Sequence, residues 1–234
     1  HDIDAASAVN CTFESIFKAH SRCNLHHVFQ NNQGVGFFHS LMHLYHKAEV
    51  NHVTVVNQSL ICRHDTEVFF YDEDAQLALK GVGLLRDQEQ FFNHLKINHY
   101  AKNCNCSQHF KNILDDKAVA EFSGLVFVQQ GSHGVDSTQL NNNLVFSDSA
   151  RVLSRPQLQI DADDVQCAHG STIGQLNPEE IHYVKSRGLS EAQARSLLIF
   201  GFIEEIIECI DDDKLKEQLI STVKAASGLF NTDG

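Results

Sequence analysis

Only two prolines, Pro156 and Pro178, occur in the 234 residues. Proline interrupts a β-ladder because it lacks a backbone N–H, so long stretches of this chain are free to pair continuously. Clustered positive charge is also missing: 18 Lys and Arg stand against 30 Asp and Glu, a formal charge of −12. Neutralising phosphates needs concentrated cations, so nucleic acid is set aside as a partner. No apolar run reaches the length of a membrane span, since the region 194–210 is interrupted by Arg195, Glu204, Glu205 and Glu208. Neither a Gly-x-Ser-x-Gly elbow, nor a GxGxxG opening a helix after a strand, nor a Walker loop is present, which leaves the chain without a nucleotide site or an activated nucleophile of its own. The seven cysteines form no CxxC pair. An odd, irregularly spaced set argues against a disulfide framework and for a reducing compartment, the cytosol or an organelle matrix.

What is present from Cys11 to Tyr100 is a series of short apolar runs, among them Val35 to Phe38, His52 to Val56, Val68 to Tyr71 and Leu77 to Leu79. They are rich in β-branched and aromatic residues and alternate with period two, as half-buried strands do. Polar breaks such as Asn31-Asn32-Gln33-Gly34, Asp72-Glu73-Asp74 and Arg86-Asp87-Gln88-Glu89 carry turn chemistry. A sandwich, a barrel or a solenoid fits this spacing. The alternation continues through Ala118–Val128, Leu144–Phe146, Arg151–Leu153 and Leu158–Ile160 with no helix between, and Asn141-Asn142-Asn143 suits a solenoid corner as well as a plain solvated turn; these features and the scarcity of proline favour the solenoid.

After Gly174 the signals turn helical. Asn177-Pro178-Glu179-Glu180 supplies an N-cap, a first-turn proline and acids, and Arg187-Gly188 a stop. Ser190-Glu191-Ala192-Gln193 is a capping box opening a second helix with a broad apolar stripe, and Asp211-Asp212-Asp213 begins a third, expected to fray after Ser227-Gly228. Apolar surface that this unit does not bury on the β-domain would be a partner site.

Cys167-x-His169 places a soft thiol and an imidazole on one face if they lie on a strand, a pair suited to iron, zinc or copper(I). Two ligands do not complete a site, and on the motif alone a buried Cys beside a structural His is the better reading of the pair. Cys104-x-Cys106 with His109 nearby is a weaker cluster in a polar, turn-like segment. Cys11 and Cys23 have no fixed partner, Cys62 and Cys209 read as small core residues, and His39, His43 and His46 read as a half-exposed face. His26 and His27 point to opposite faces of a strand.

The run from Asn141 to Gly174, with Leu-Val-Phe-Ser-Asp-Ser-Ala-Arg at 144–151, Arg-Pro-Gln-Leu-Gln-Ile at 155–160 and Ala-Asp-Asp-Val-Gln-Cys-Ala-His-Gly-Ser-Thr-Ile-Gly at 162–174, resembles the C-terminal core of the SufB/SufD family of iron–sulfur cluster assembly proteins. Tyr183 to Leu189 and Phe202 to Ile206 fit that family's helical tail. Gly170 after His169 resembles the SufD side of the family, where SufB-type members carry Glu. The resemblance implies a mainly β fold, a right-handed parallel β-helix over 1–174 with a C-terminal α-helical domain over 175–234. It also implies a non-catalytic scaffold subunit that pairs with a SufB-like paralogue and docks a SufC-like ABC-type ATPase, with no nucleotide, nucleic acid or membrane bound by this chain. Cys167 and His169 are then the metal residues, shared with the partner around iron or a nascent iron–sulfur cluster. Ser190, Ala194, Leu197, Leu198, Phe202 and Ile206 are the expected ATPase contacts, and self-association in isolation stays open. A family N-terminal helical region is expected to lie outside this sequence, which starts at His1. The rivals are a carbohydrate-active β-helix enzyme, which needs paired carboxylates across coils that the adjacent Asp163 and Asp164 do not supply, and a plain interaction module.

Overall fold

The structure is a computed structural model and describes residues 8–30 and 34–227. Part of the Asn31–Gly34 turn and the expected frayed end from Gly228 onward lie outside the described residues. Twelve strands alternate between two parallel six-stranded sheets. One sheet stacks β1 (Ala8–Phe17), β3 (Val35–Leu44), β5 (Ile61–Phe70), β7 (Gln90–His99), β9 (Val119–Val128) and β11 (Arg151–Ile160). The other stacks β2 (Arg22–Gln30), β4 (Glu49–Asn57), β6 (Gln76–Leu85), β8 (Asn105–Leu114), β10 (Asp136–Val145) and β12 (Gln166–Gly174). The result is a flattened β-solenoid of about six coils, whose closing helices are α1 (Pro178–Lys185), α2 (Glu191–Ile207) and α3 (Asp213–Ser227).

The corners explain how polar breaks keep the coils in register. Shortly ahead of β2, β4, β6, β8, β10 and β12 stand residues in the left-handed region, His20, Lys47, Asp74, Asn103, Gly134 and Asp164, with Gly131 a second one before β10. Asn, Asp and Gly adopt that backbone at low cost, and the repeated bend returns the chain to the opposite sheet. The ladder runs through these corners: the Lys47 N–H donates to the Glu73 carbonyl, that of Asp74 to Lys102 and that of Asn103 to His133. Gly134 is one position where a side chain is excluded, because a Cβ there would overlap the Asn103 carboxamide.

Between the sheets the early coils are filled by Met42, Leu44, Val68, Phe70, Leu77, Leu79 and Ile97. Asn141-Asn142-Asn143, expected at a corner, instead lies inside β10. Asn141 and Asn143 are buried between the sheets while Asn142 faces out to Thr172 and His109. Their side chains form an amide ladder, Asn112 Nδ2 to Asn143 Oδ1 at 2.8 Å and Asn143 Nδ2 to Asn141 Oδ1 at 2.8 Å. Buried amides that pair with one another avoid most of the desolvation cost that isolated ones carry.

Helix α2 lies on the outer face of the β2-to-β12 sheet and runs back from the last coils toward the first. Ile199, Ile203, Ile206, Ile207 and Ile210 pack on Val53, Val55, Val82, Leu84, Ile113 and Leu144. This accounts for the nearly unbroken apolar run His52 to Val56, since β4 is covered on both faces. Each isoleucine so buried contributes about 1.5–3 kcal/mol. The helix starts are as the sequence indicates: Asn177 caps α1, and Ser190 with Gln193 forms a complete capping box on α2.

Candidate half-site at the open end of the solenoid

β12 is the terminal strand of its sheet and pairs only with β10 among the described residues. Its inward side chains belong to columns that run the length of the sheet. Cys167 is in register with Ser137 and Cys106, and His169 with Gln139 and Gln108. Both lie on the inner face, as two residues separated by one in a strand must. No further coil covers them among the described residues, so Cys167 is half-buried and His169 exposed. Cys167 packs on the end of the main apolar core beside Leu158, Ala162 and Val165. Burial raises its thiol pKa, and the Ser137 backbone N–H directed at the sulfur opposes that rise. A metal would displace the proton, and the N–H would remain to stabilise the thiolate.

Two features below this pair were not visible in the sequence. Ser137 Oγ and Gln139 Oε1 are buried without a hydrogen-bond partner, each one rung beneath a candidate ligand. Gly170 lies on the outer face over Leu140, where a Cβ would come within 3.1 Å of Leu140 Cδ2. An acidic side chain at 170 would therefore start from the face opposite Cys167 and His169.

Of the other cysteines, Cys62, Cys104 and Cys106 are buried, whereas Cys11, Cys23 and Cys209 are half-buried. Cys104 and Cys106 are fully buried rather than held in a polar turn. Burial pushes Cys104 up to about 11 and Cys106 higher still. Cys104 donates to the Asp72 and Lys102 carbonyls, whereas His109 faces outward to Asn142 and Glu205. Cys62 is buried as expected, but Cys209 is half-buried and takes a hydrogen bond from Lys80 at 2.9 Å. Among the described residues no three His, Cys, Asp or Glu side chains are placed to hold a metal ion.

The family comparison completes this picture. A family model described as SUF system FeS cluster assembly, SufBD core domain, matches residues 1–202. The chain belongs to the SufB/SufD family. Within the SufB/SufD family it is a SufD-like member. It is 31% identical over 206 residues to the iron–sulfur cluster assembly protein SufD of Escherichia coli, covering 87% of this chain and 49% of that protein. It is 37% identical over 161 residues to a SufBD family protein of Synechocystis, covering 68% and 35%, and 29% identical over 185 residues to one of Mycobacterium leprae, covering 76% and 47%. The chain thus spans half or less of the length of these SufB/SufD relatives.

The tail residues divide by exposure. Ala194 and Ile206, two of the expected ATPase contacts, are fully buried in this chain, Ile206 within the cluster between α2 and the sheet. The physical reason is the width of the α2 stripe, one side of which the chain itself uses. Phe202 is half-buried beneath Lys111, whose Nζ lies 5.0 Å from the ring centroid. Leu198 is half-buried, Ser190 is exposed and occupied in capping, and Leu197 is 53% exposed. Leu197 joins Leu189, Gln193, Ser196, Phe200 and Ile220 in a shallow apolar groove between α2 and α3. No helix among the described residues is long and apolar enough to cross a membrane.

Proposed function

We propose that this chain is a non-enzymatic, SufD-like scaffold subunit of an iron–sulfur cluster assembly complex. The observation that carries the reading is an incomplete ligand pair, Cys167 and His169, on the inner face of a terminal strand whose other edge is unpaired among the described residues. An open parallel edge invites a further strand from another chain. A SufB-like paralogue stacked there would cover both side chains and bring the missing ligands. Iron, or the nascent cluster, is cargo at this interface rather than a resident cofactor. The apolar groove around Leu197 suits a SufC-type ATPase, and its exposed Leu197 and half-buried Phe200 supply the packing such docking needs. The proposed site of action is the cytoplasm or a plastid-type stroma.

Stacked acids at neighbouring corners do occur, but Asp116 accepts the Asp87 backbone N–H at 3.1 Å and so closes the corner. That structural role argues against this pair as the acid and base a glycosidase needs.

Co-expression of the full-length protein with the paralogue and the ATPase, followed by iron and sulfide analysis, tests the scaffold reading. His169→Ala and Cys167→Ala should leave the complex assembled and lower its cluster content. Wild-type cluster content in both variants would reject the half-site.

A further inference from the structure

We propose that Gln139 is a positioning residue for His169, its side-chain carbonyl accepting a hydrogen bond from one ring nitrogen and leaving the other free for a metal. The inference rests on the reading of His169 as a ligand and adds what fixes its imidazole.

Three observations converge. First, Gln139 is 0% exposed and stands in register between Gln108 and His169 in one inward column. Adjacent strands are about 4.8 Å apart, a gap that an imidazole and a carboxamide together can bridge with a hydrogen bond. Second, the direction of the amide is set from below, because Gln139 Nε2 donates to Gln108 Oε1 at 2.8 Å. The amino and carbonyl groups of a carboxamide point apart, so an NH₂ turned toward the lower coil turns Oε1 toward the upper one. Gln139 Oε1 has no partner, and a buried carbonyl left unpaired is costly enough that a donor is expected above it. His169, exposed and at the end of the stack, is the registered side chain able to turn a ring N–H inward.

Third, the opposite sheet reserves room for this amide. Gly124 of β9 faces it, and a Cβ at that position would overlap the Gln139 carboxamide, lying 2.6 Å from Cδ. β9 thereby clamps the amide group from the side while Gln108 holds it from below. Metal-ligating histidines that donate their second N–H to a fixed acceptor gain a single tautomer, a fixed ring plane and greater basicity at the metal-facing nitrogen. In this arrangement the free nitrogen is turned toward the open end, on the side where Cys167 lies.

Nitrogen-15 NMR of the histidine tautomers in the full-length, metal-free protein above pH 7.5 tests the hydrogen bond, with the His169 signals assigned by their loss in His169→Gln. Wild type should show one tautomer at His169. Gln139→Leu should relax it toward the mixture of a free imidazole, while Gln139→Glu, which keeps an acceptor, should restore it. Gly124→Ala should reproduce the Gln139→Leu spectrum from the other sheet, and serves alone if Gln139→Leu fails to fold. In the co-expressed complex, a cobalt(II) absorbance titration should weaken roughly 10- to 100-fold in Gln139→Leu. A free-imidazole mixture at His169 in wild type, or an unchanged tautomer in Gln139→Leu or Gly124→Ala, overturns the proposal. If the tautomers shift as expected but His169→Ala binds cobalt as tightly as wild type, the hydrogen bond stands and the half-site reading falls.

Discussion

Lys111 of β8 and Glu205 of α2 form an ion pair at 2.8 Å across the seam between solenoid and helices. The same ammonium donates to the Phe202 carbonyl at 2.6 Å, and only 11% of the Lys111 side chain is exposed. His109 Nδ1 also reaches Glu205, at 2.8 Å, so two basic groups of β8 hold one turn of α2. The Lys111 hydrogen bond keeps the Glu205 carboxyl below its ordinary range, so this stabilisation is present above the usual glutamate pKa and is lost as pH falls through the lowered value.

Lys111→Met keeps the packed stem and removes the charge. It should lower stability by about 1.5–3 kcal/mol, the range for a hydrogen bond to a charged group. Amide exchange in α2 should accelerate while β5 and β7 stay protected. Unchanged exchange across α2 would show that apolar packing alone docks the helix.

Leu197 faces away from that seam, so Leu197→Asp should alter stability by no more than about 1 kcal/mol. Co-purification of the ATPase with this variant should nevertheless fail. Ile203→Asp is the contrasting substitution, because it buries a charge between α2 and the sheet and should unfold the tail outright. Retained ATPase with a folded Leu197→Asp would move the docking surface elsewhere.

The inner face of the first coils carries a different liability. His27, His52 and His64 cluster there, with ring centroids 4.6–6.1 Å apart. Burial, reinforced by His27 and His39, pushes His64 down to about 3, and burial lowers His99 to about 4. These imidazoles stay neutral in the fold but take up a proton in the unfolded chain below about pH 6.5. Each then removes about 1.4 kcal/mol of stability per pH unit between that value and its folded-state pKa. Glu89, raised by burial to about 7, works in the opposite direction from there down to the ordinary glutamate range. Urea midpoints from pH 7.5 to 5 should therefore fall, and His64→Asn should flatten the slope by about 1.4 kcal/mol per unit. Parallel slopes for the two proteins would mean that His64 is already protonated in the fold.

By itself the sequence determined the local elements. Period-two alternation marked the strands, Asp, Asn and Gly punctuated the corners, and Asn177 and Ser190 announced their helices, because each of these signals is carried by neighbours in the chain. It also placed Cys167 and His169 on one strand face, and the run 141–174 carried the family resemblance. Only the tertiary structure decided which face was inward. Alternation is symmetric between inside and outside for polar residues, so Asn141 and Asn143 looked like a corner until the partners Asn112 and Thr172, distant in sequence, were stacked against them. The same holds for Cys104 and Cys106, whose polar neighbours Asn103, Asn105 and Ser107 concealed their burial. The apolar stripe of α2 gave its width but not its allocation, since Ala194 and Ile206 differ from Leu197 only in facing inward rather than out. At the open end, the sequence offered a ligand pair, and stacking in register put Gln139 beneath His169.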